Sequence, residues 1–487
     1  MNINRFVYSF LLIAGLSGQV FQGYTIFSPA AGGPGGGGNG MTYMVNNSIN
    51  VINSWYYPRG PASLAYLQRD STLIYPFRVQ NPTMINGGVG GGIAHMDWDS
   101  NVLWLYIVSN DLYQHHHDIQ PLPNGNILVI AWERKTAAEA YAMGRQTINN
   151  PLNEMWSEAI LELEPIGTDS ANIVWEWHIW DHLIQDADTT LTNYGIISEH
   201  PELIDINYGN VGGTQGPGVS HADWMHLNAI DYNADLDQIV ISSRTMGEIY
   251  IIDHSTTTAE AASHSDGNSG KGGDLLYRWG NPQVYDRGNG SDQQLNAQHG
   301  VNWIPANYPG GGHLICFNNN YQNNNSAVFE IVTPLEDSTG NYLLEENEDY
   351  GPDGPVWTHS GGFHSNVQSG AFRLPNGNTL ITEADDAHMF EVTSNGMVVW
   401  NYVYPGQNIM IARAQRYTLN YLNQNDFPDY VSGDINFDGE INIADISHAV
   451  DMLYEVGYNP TPPADVNGDG AVTMVDIIIL VEMAFND

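Results

Sequence analysis

The sequence predicts an all-β fold, a six-bladed β-propeller, followed by a small α-helical module. Three observations carry this reading. A strand-like stretch bearing tryptophan recurs six times: "NVINSWYY" (50–57), "NVLWLYI" (101–107), "NIVWEWHI" (172–179), "DLLYRWGN" (274–281), "GPVWTHS" (354–360) and "MVVWNYVY" (397–404). Paired strand-like runs joined by tight Asn/Gly/Asp turns accompany it, as in "HDIQPLPNGNILVIAW" (117–132) and "SGAFRLPNGNTLITEA" (369–384). The 487 residues are only 14% charged and include 51 Gly, with few long helical patterns. That is a composition of short strands and many turns. Each unit then reads as about four strands, and six such sheets set around an axis make a propeller.

The elements follow in chain order. Arg5 and the apolar run "FVYSFLLIAGLSG" read as a secretory signal over residues 1–23, cut between Gly18 and Gly23. The run is too short for a comfortable membrane span, and nothing later in the chain resembles one. "AAGGPGGGGNG" (30–40) is a flexible loop, because no strand–helix context makes it a phosphate cradle. The propeller is expected over 24–425. Its tryptophan strands are preceded by "AILELEP" (159–165), "GEIYIID" (247–253), "AVFEIVT" (327–333) and "HMFEVTS" (388–394). Two degenerate copies, "ASLAYLQRDSTLIYP" (62–76) and "ARAQRYTLNYL" (412–422), are expected to complete a shared blade and close the ring.

Charge and cysteine content narrow the function classes. A formal net charge of −41 disfavours nucleic acid and anionic membrane surfaces and fits a secreted or calcium-binding protein. Cys316 is the sole cysteine, so no intrachain disulfide forms, and "HLICFNNN" marks it as a buried small apolar residue.

Aligning the units on their turns brings histidines into register. His117 lies five residues before Leu122, His226 five before Asp231 and His299 five before Ile304; Ser369 takes the slot in the next unit. The innermost strands of a propeller line its channel, so three blades would aim three imidazoles at one point. Strand alternation would turn His116 away and leave His115 above the channel. Asn228, two residues after His226, would face the same side as that histidine. Arg244 ends the returning strand, and the chain holds only 14 Lys and Arg. A guanidinium fork beside imidazoles suits a tetrahedral oxyanion such as sulfate or phosphate. A histidine triad also suits Zn or Fe, but the slot offers no carboxylate ligand and a nearby cation disfavours a dication. No nucleophile elbow for Ser/His/Asp chemistry is present.

The stretches "HHDIQPLPNGNILV", "DWMHLNAIDYNADLDQIVISSR", "SGKGGDLLYRWGNP", "AQHGVNWIP" and "SGAFRLPNGNTLI" resemble the bacterial aryl-sulfate sulfotransferase family over roughly residues 24–425. "FNNNYQNNNSAVFEI" and the extended "HHH" are local departures from its pattern. The resemblance implies a six-bladed propeller that moves a sulfuryl group from a phenolic sulfate ester to a phenol acceptor without a nucleotide donor. It implies that His299, in "AQHGVNW", carries the group as a sulfohistidine. It gives His117 and His226 helper roles and matches Asn228 and Arg244 to the family's Asn and Arg. No cofactor is expected in the channel. The competing reading is a non-catalytic propeller that binds sulfated or phenolic ligands.

A separate module is expected over 432–487. "DINFDGEINIAD" (434–445) and "DVNGDGAVTMVD" (465–476) are twelve-residue loops with Asp, Asn and Asp at positions 1, 3 and 5, Gly at 6 and Asp at 12. Their oxygens suit Ca2+, with ligands from Asp434, Asn436, Asp438, the Glu440 carbonyl and Asp445, then Asp465, Asn467, Asp469, the Ala471 carbonyl and Asp476. Each loop runs into one apolar helix. The pair resembles a type I dockerin, which implies a cohesin or cell-surface scaffold as partner and a secreted, periplasmic or surface-attached location.

Overall fold

The computed structural model describes residues 20–31, 40–215, 219–322, 325–336, 340–422, 432–435, 441–454, 464, 466 and 472–485. Six four-stranded sheets stand around one axis. From the inside outward, blade 1 comprises Ile409–Thr418, Gly23–Ala31, Gly40–Val45 and Val51–Tyr57. Blade 2 is Tyr66–Leu67, Leu73–Arg78, Gly91–Met96 and Val102–Ile107, and blade 3 is Tyr113–Pro121, Ile127–Thr136, Glu154–Ile166 and Ser170–His178. Blade 4 is Leu227–Asn233, Gln238–Ser243, Glu248–Asp253 and Tyr277–Trp279. Blade 5 is His299–Trp303, Leu314–Asn318, Ala327–Ile331 and Trp357–Ser360, and blade 6 is Gly370–Arg373, Thr379–Glu383, His388–Val392 and Val398–Val403.

Closure differs in one respect from the expectation. The last strand does close the ring, pairing antiparallel with the first so that Tyr24 faces Tyr417. "ASLAYLQRDSTLIYP" instead supplies the two inner strands of blade 2, where Tyr66 faces Ile74. Three outer strands of blade 1 already precede it, so the shared blade lacks only the strand Ile409–Thr418 that follows blade 6. Phe21 is buried, and its N–H donates to Glu391 Oε1 of blade 6 at 2.8 Å. Residues 1–19 of the expected signal lie outside the described residues.

The recurring tryptophan has a geometric cause. It sits on the outermost strand of every blade, and its indole N–H donates to a backbone carbonyl of the following blade. The bonds are Trp55 to Asp97 (3.0 Å), Trp104 to Ser170 (2.7 Å) and Trp177 to Gly273 (2.7 Å). Trp279 to Pro352 (2.7 Å), Trp357 to Ser394 (2.7 Å) and Trp400 to Asn47 (2.8 Å) complete the circle. Each indole thus buries a large apolar face between two sheets while satisfying its one polar atom. Between blades 3 and 4, Leu128, Ile130, Ile160, Ile239, Ile241 and Tyr250 form part of one core. Burial of each such side chain contributes roughly 1.5–3 kcal/mol.

Part-way along the channel the bore is crossed by polar side chains. Asp118, fully buried, pairs with Arg413 of blade 1. It also accepts from Ser63 Oγ at 3.4 Å, Tyr66 OH at 3.0 Å and the Ile230 N–H at 3.3 Å. One carboxylate therefore ties the inner strands of blades 1 to 4.

In the C-terminal module, helices Ile443–Tyr454 and Met474–Phe485 share a core of Ile435, Ala449, Met452, Ile477 and Leu480. The two position-12 carboxylates are buried and hold the loops in equivalent ways. Asp445 accepts from the N–H groups of Ile435 (2.7 Å) and Asn442 (2.8 Å), and Asp476 from the N–H (2.8 Å) and Oγ1 (3.0 Å) of Thr473. Asp434 is buried as well. The expected ligands Asn436, Asp438, Glu440, Asp465, Asn467, Asp469 and Ala471 lie outside the described residues. Among the described residues, no helix is long and apolar enough to cross a membrane.

Candidate functional site

A cavity of about 310 Å3 opens at one end of the channel, walled by His117, His226, His299, Arg244 and Asp223 with the Asn86–Gly88 loop. The three histidines come from blades 3, 4 and 5. The His117 ring centre lies 4.7 Å from that of His226 and 6.2 Å from that of His299.

The backbone explains how they reach this mouth. His117 (φ 53°) and His226 (φ 56°) occupy left-handed conformations, Gly300 (φ 65°) follows His299, and Ser369 (φ 81°) holds the slot in blade 6. Strand register slips at the same places, between His115 and Ile119, Leu227 and Ala229, and His299 and Asn302. Such bulges re-aim side chains beside functional sites, and strained non-glycine residues persist only where surroundings hold them. Gly88 lies flat against His117: a Cβ there would sit 2.0 Å from its Cε1.

Every channel histidine has its Nδ1 engaged. His226 Nδ1 bonds Asp223 Oδ2. Asp223 also accepts from Asn86 Nδ2 at 2.6 Å and from Trp132 Nε1 at 3.1 Å. His299 Nδ1 faces Ala297 O at 2.9 Å and Asn319 Oδ1 at 2.8 Å. Asn319 is oriented by its Nδ2, which donates to the carbonyls of Ser365 (2.9 Å) and Gln368 (3.1 Å). These partners only accept, so Nδ1 of His226 and of His299 holds a proton, and Nε2 is the nitrogen left for chemistry.

His117 belongs to a longer line. Its Nδ1 is 2.9 Å from His116 Nδ1, and His116 Nε2 is 2.9 Å from Glu158 Oε2. With Glu158 ionised, protons point toward it and His117 Nε2 is a base. With Glu158 neutral the line reverses and His117 Nε2 carries a proton. Burial, reinforced by Asp223, pushes Glu158 well above the usual carboxylate range, while the N–H groups of Leu227 and His226 oppose this. His116 thus departs from the expectation that it turns away. The bulge breaks strand alternation, and the ring stacks on Trp132 (4.1 Å between centres, 9° between planes). His115 is buried too, its Nδ1 accepting from the Gly91 N–H at 2.9 Å.

Arg244 and Asn228 differ in placement. The Arg244 N–H donates to His226 O at 3.2 Å, which fixes the residue at the cavity wall. Its half-buried guanidinium has no hydrogen-bond or ion-pair partner among the described residues. Asn228 is buried behind the wall, not on it, because the bulge at Leu227 changes the facing of the strand. Its Nδ2 donates to Gln298 O at 2.7 Å, bracing the residue next to His299. Gln298 Nε2 in turn donates to Ser242 Oγ (3.1 Å), Ser243 O (2.8 Å) and Glu248 O (2.9 Å).

Burial keeps His299, His117 and His115 neutral. It pushes His299 down to about 3, with the Asn319 bond opposing and Arg244 adding to the fall. Burial also holds His117 well below the ordinary range, helped by His226, His116, His299 and Arg244. His115 is pushed down to about 3 by burial alone. An unfolded histidine titrates near 6.5, so below that pH the unfolded chain takes protons that the folded chain refuses. Stability present above pH 6.5 is therefore lost as pH falls toward 3. Urea midpoints should drop steadily with acidification, and His115→Gln should flatten that slope by up to about 1.4 kcal/mol per pH unit. An unchanged slope would refute the assignment.

Asp223, Glu158, Asn319 and Gly88 escaped the reading of the sequence. Only Asp223 carried a local signal, standing three residues before His226 in "HADWMH".

The comparisons with known proteins bear on both modules. The family model "Arylsulfotransferase (ASST)" matches residues 55–396, and that of the "Dockerin type I domain" matches 432–483. No curated protein matches the chain. Similar solved structures include a protein of unknown function from Bacteroides caccae, 11% identical, covering 81% of this chain and 98% of that one with a TM-score of 0.41. A periplasmic gluconolactonase from Pseudomonas aeruginosa is 10% identical, covering 81% of this chain and 99% of that one with a TM-score of 0.37. With six blades, a cavity of three histidines and an arginine, and a family match over most of its length, this chain belongs to the arylsulfotransferase family and carries a type I dockerin domain.

Proposed function

We propose that the protein transfers a sulfuryl group from a phenolic sulfate ester to a phenol through a sulfohistidine at His299. The observation that carries this reading is a cavity in which histidine Nε2 atoms and an unpaired guanidinium meet. The His299 Nε2 lone pair attacks sulfur as the S–O bond to the donor phenol breaks. His117 Nε2, protonated through the line from neutral Glu158, or His226 Nε2 in the doubly protonated ring that the Asp223 carboxylate supports, gives the leaving phenolate a proton. The acceptor phenol then returns a proton to the same nitrogen and takes the sulfuryl group, restoring His299. Sulfuryl transfer resembles phosphoryl transfer in its loose transition state, with charge on the peripheral oxygens. Arg244 meets that charge, while Asn228 acts at one remove by holding the backbone at Gln298.

The test is to incubate the protein with an aryl sulfate and a phenol and to follow phenolate release. Arg244→Lys keeps the charge but loses the fork, so turnover should fall by roughly 10^2–10^3-fold in folded protein. Near-normal turnover would remove Arg244 from the reaction.

The dockerin domain supports a cohesin partner and an extracellular or cell-surface location, reached through the signal over 1–23. Type I dockerins bind calcium, and the loops at 434–445 and 465–476 are where this one would hold it. The buried Asp445 and Asp476 fix the ends of both loops.

A further inference from the structure

Away from the channel, three side chains from the edges of blades 3 and 4 converge. His182, fully buried just after the outer strand of blade 3, has Nδ1 2.8 Å from Asp274 Oδ1 and Nε2 2.9 Å from Ala261 O. His264 Nδ1 lies 2.7 Å from the same Asp274 oxygen. The ligand atoms of all three residues lie within 4.8 Å of one another. A carbonyl oxygen only accepts, so His182 Nε2 carries a proton, which leaves Nδ1, facing Asp274, as the ligand atom once a cation takes the place of the proton between them.

That pattern, one ring nitrogen tied to a carbonyl and the other turned to the remaining ligand atoms, is how metal-binding histidines are oriented. The ring has little room to turn. Trp177 stacks on it, with centres 5.6 Å apart and planes 13° apart. A Cβ on Gly273 would come 2.7 Å from its Nε2. Two imidazole nitrogens and a carboxylate suit Zn2+ and not the all-oxygen preference of Ca2+.

We propose that His182, His264 and Asp274 bind a zinc ion, with water as the fourth ligand. The ion would staple the segment that leaves blade 3 to the 261–274 segment that leads into the outer strand of blade 4. With Cys316 the sole cysteine, no disulfide can make that cross-link.

The test uses the full-length protein, chelator-treated and then saturated with Ca2+ so that the C-terminal loops are filled. Added ZnCl2 followed by dialysis should leave one zinc per chain by mass spectrometry, and Co2+ in its place should give a tetrahedral d–d spectrum. His264→Ala, at a side chain 62% exposed and so safe for folding, should weaken zinc binding by about 100-fold or more. Asp274→Asn should do the same, and neither the zinc content of His299→Ala nor the aryl-sulfate turnover of His264→Ala should change. The proposal is overturned if the wild-type protein retains no zinc, if His264→Ala retains it equally, or if His299→Ala is the variant that loses it.

Discussion

Replacing His299 with alanine should lower aryl-sulfate turnover by on the order of 10^4-fold or more. The ring is the proposed acceptor of the sulfuryl group, and its Nδ1 is already committed to Ala297 O and Asn319 Oδ1. That leaves Nε2 to attack, neutral down to low pH because the ring is buried. The measurement is phenolate release, paired with mass spectrometry of protein given donor and no acceptor. The wild type should show a sulfuryl adduct on the peptide holding His299, and the variant should show none. An adduct persisting in the variant would place the nucleophile elsewhere.

Asp223→Asn should reduce kcat by about 10^3-fold in protein that folds normally, since a wrong imidazole tautomer is costly wherever proton transfer matters. The carboxylate can only accept from His226 Nδ1, which leaves Nε2 to give and take the proton. An asparagine amide can donate to Nδ1 and so move the proton to Nε2, away from the acid–base role that the cavity requires. Asn86 and Trp132 donate to the same carboxylate and hold its position. Loss in kcat with KM little changed, and a displaced pH profile, would distinguish this tautomer effect from damage to the fold. A variant with wild-type kcat would show that His226 does not exchange protons in turnover.

The blades were legible because their signals are local and periodic. A tryptophan on each outer strand must reach the neighbouring blade, and an Asn/Gly turn must join the inner pair. The shared slot of His117, His226 and His299 was legible for the same reason, since units aligned on a turn also align what precedes it. Alternation then misled at two places. It turned His116 outward and Asn228 toward the cavity, and in both cases a bulge beside the histidine reverses the facing. Partners from other strands left no trace in sequence order. Glu158 stands 42 residues from His116, and Asn319 20 residues from His299. The asparagine-rich stretch that departs from the family pattern thus contains the side chain that orients the proposed nucleophile.

The Asp118–Arg413 crossing has a kinetic consequence. It lies one residue beyond His117, and the cavity on its far side is lined by a different set of residues, among them Gln120, Asp231 and Tyr417. Among the described residues the crossing thus stands between the two cavities, and the histidines face the one at their own end of the channel. Under the proposed reaction, donor and acceptor phenols would take the same berth beside His299 in turn, the first leaving before the second arrives. Initial-rate plots against the two substrates should accordingly give parallel lines, and the spent phenol should compete directly with the fresh one.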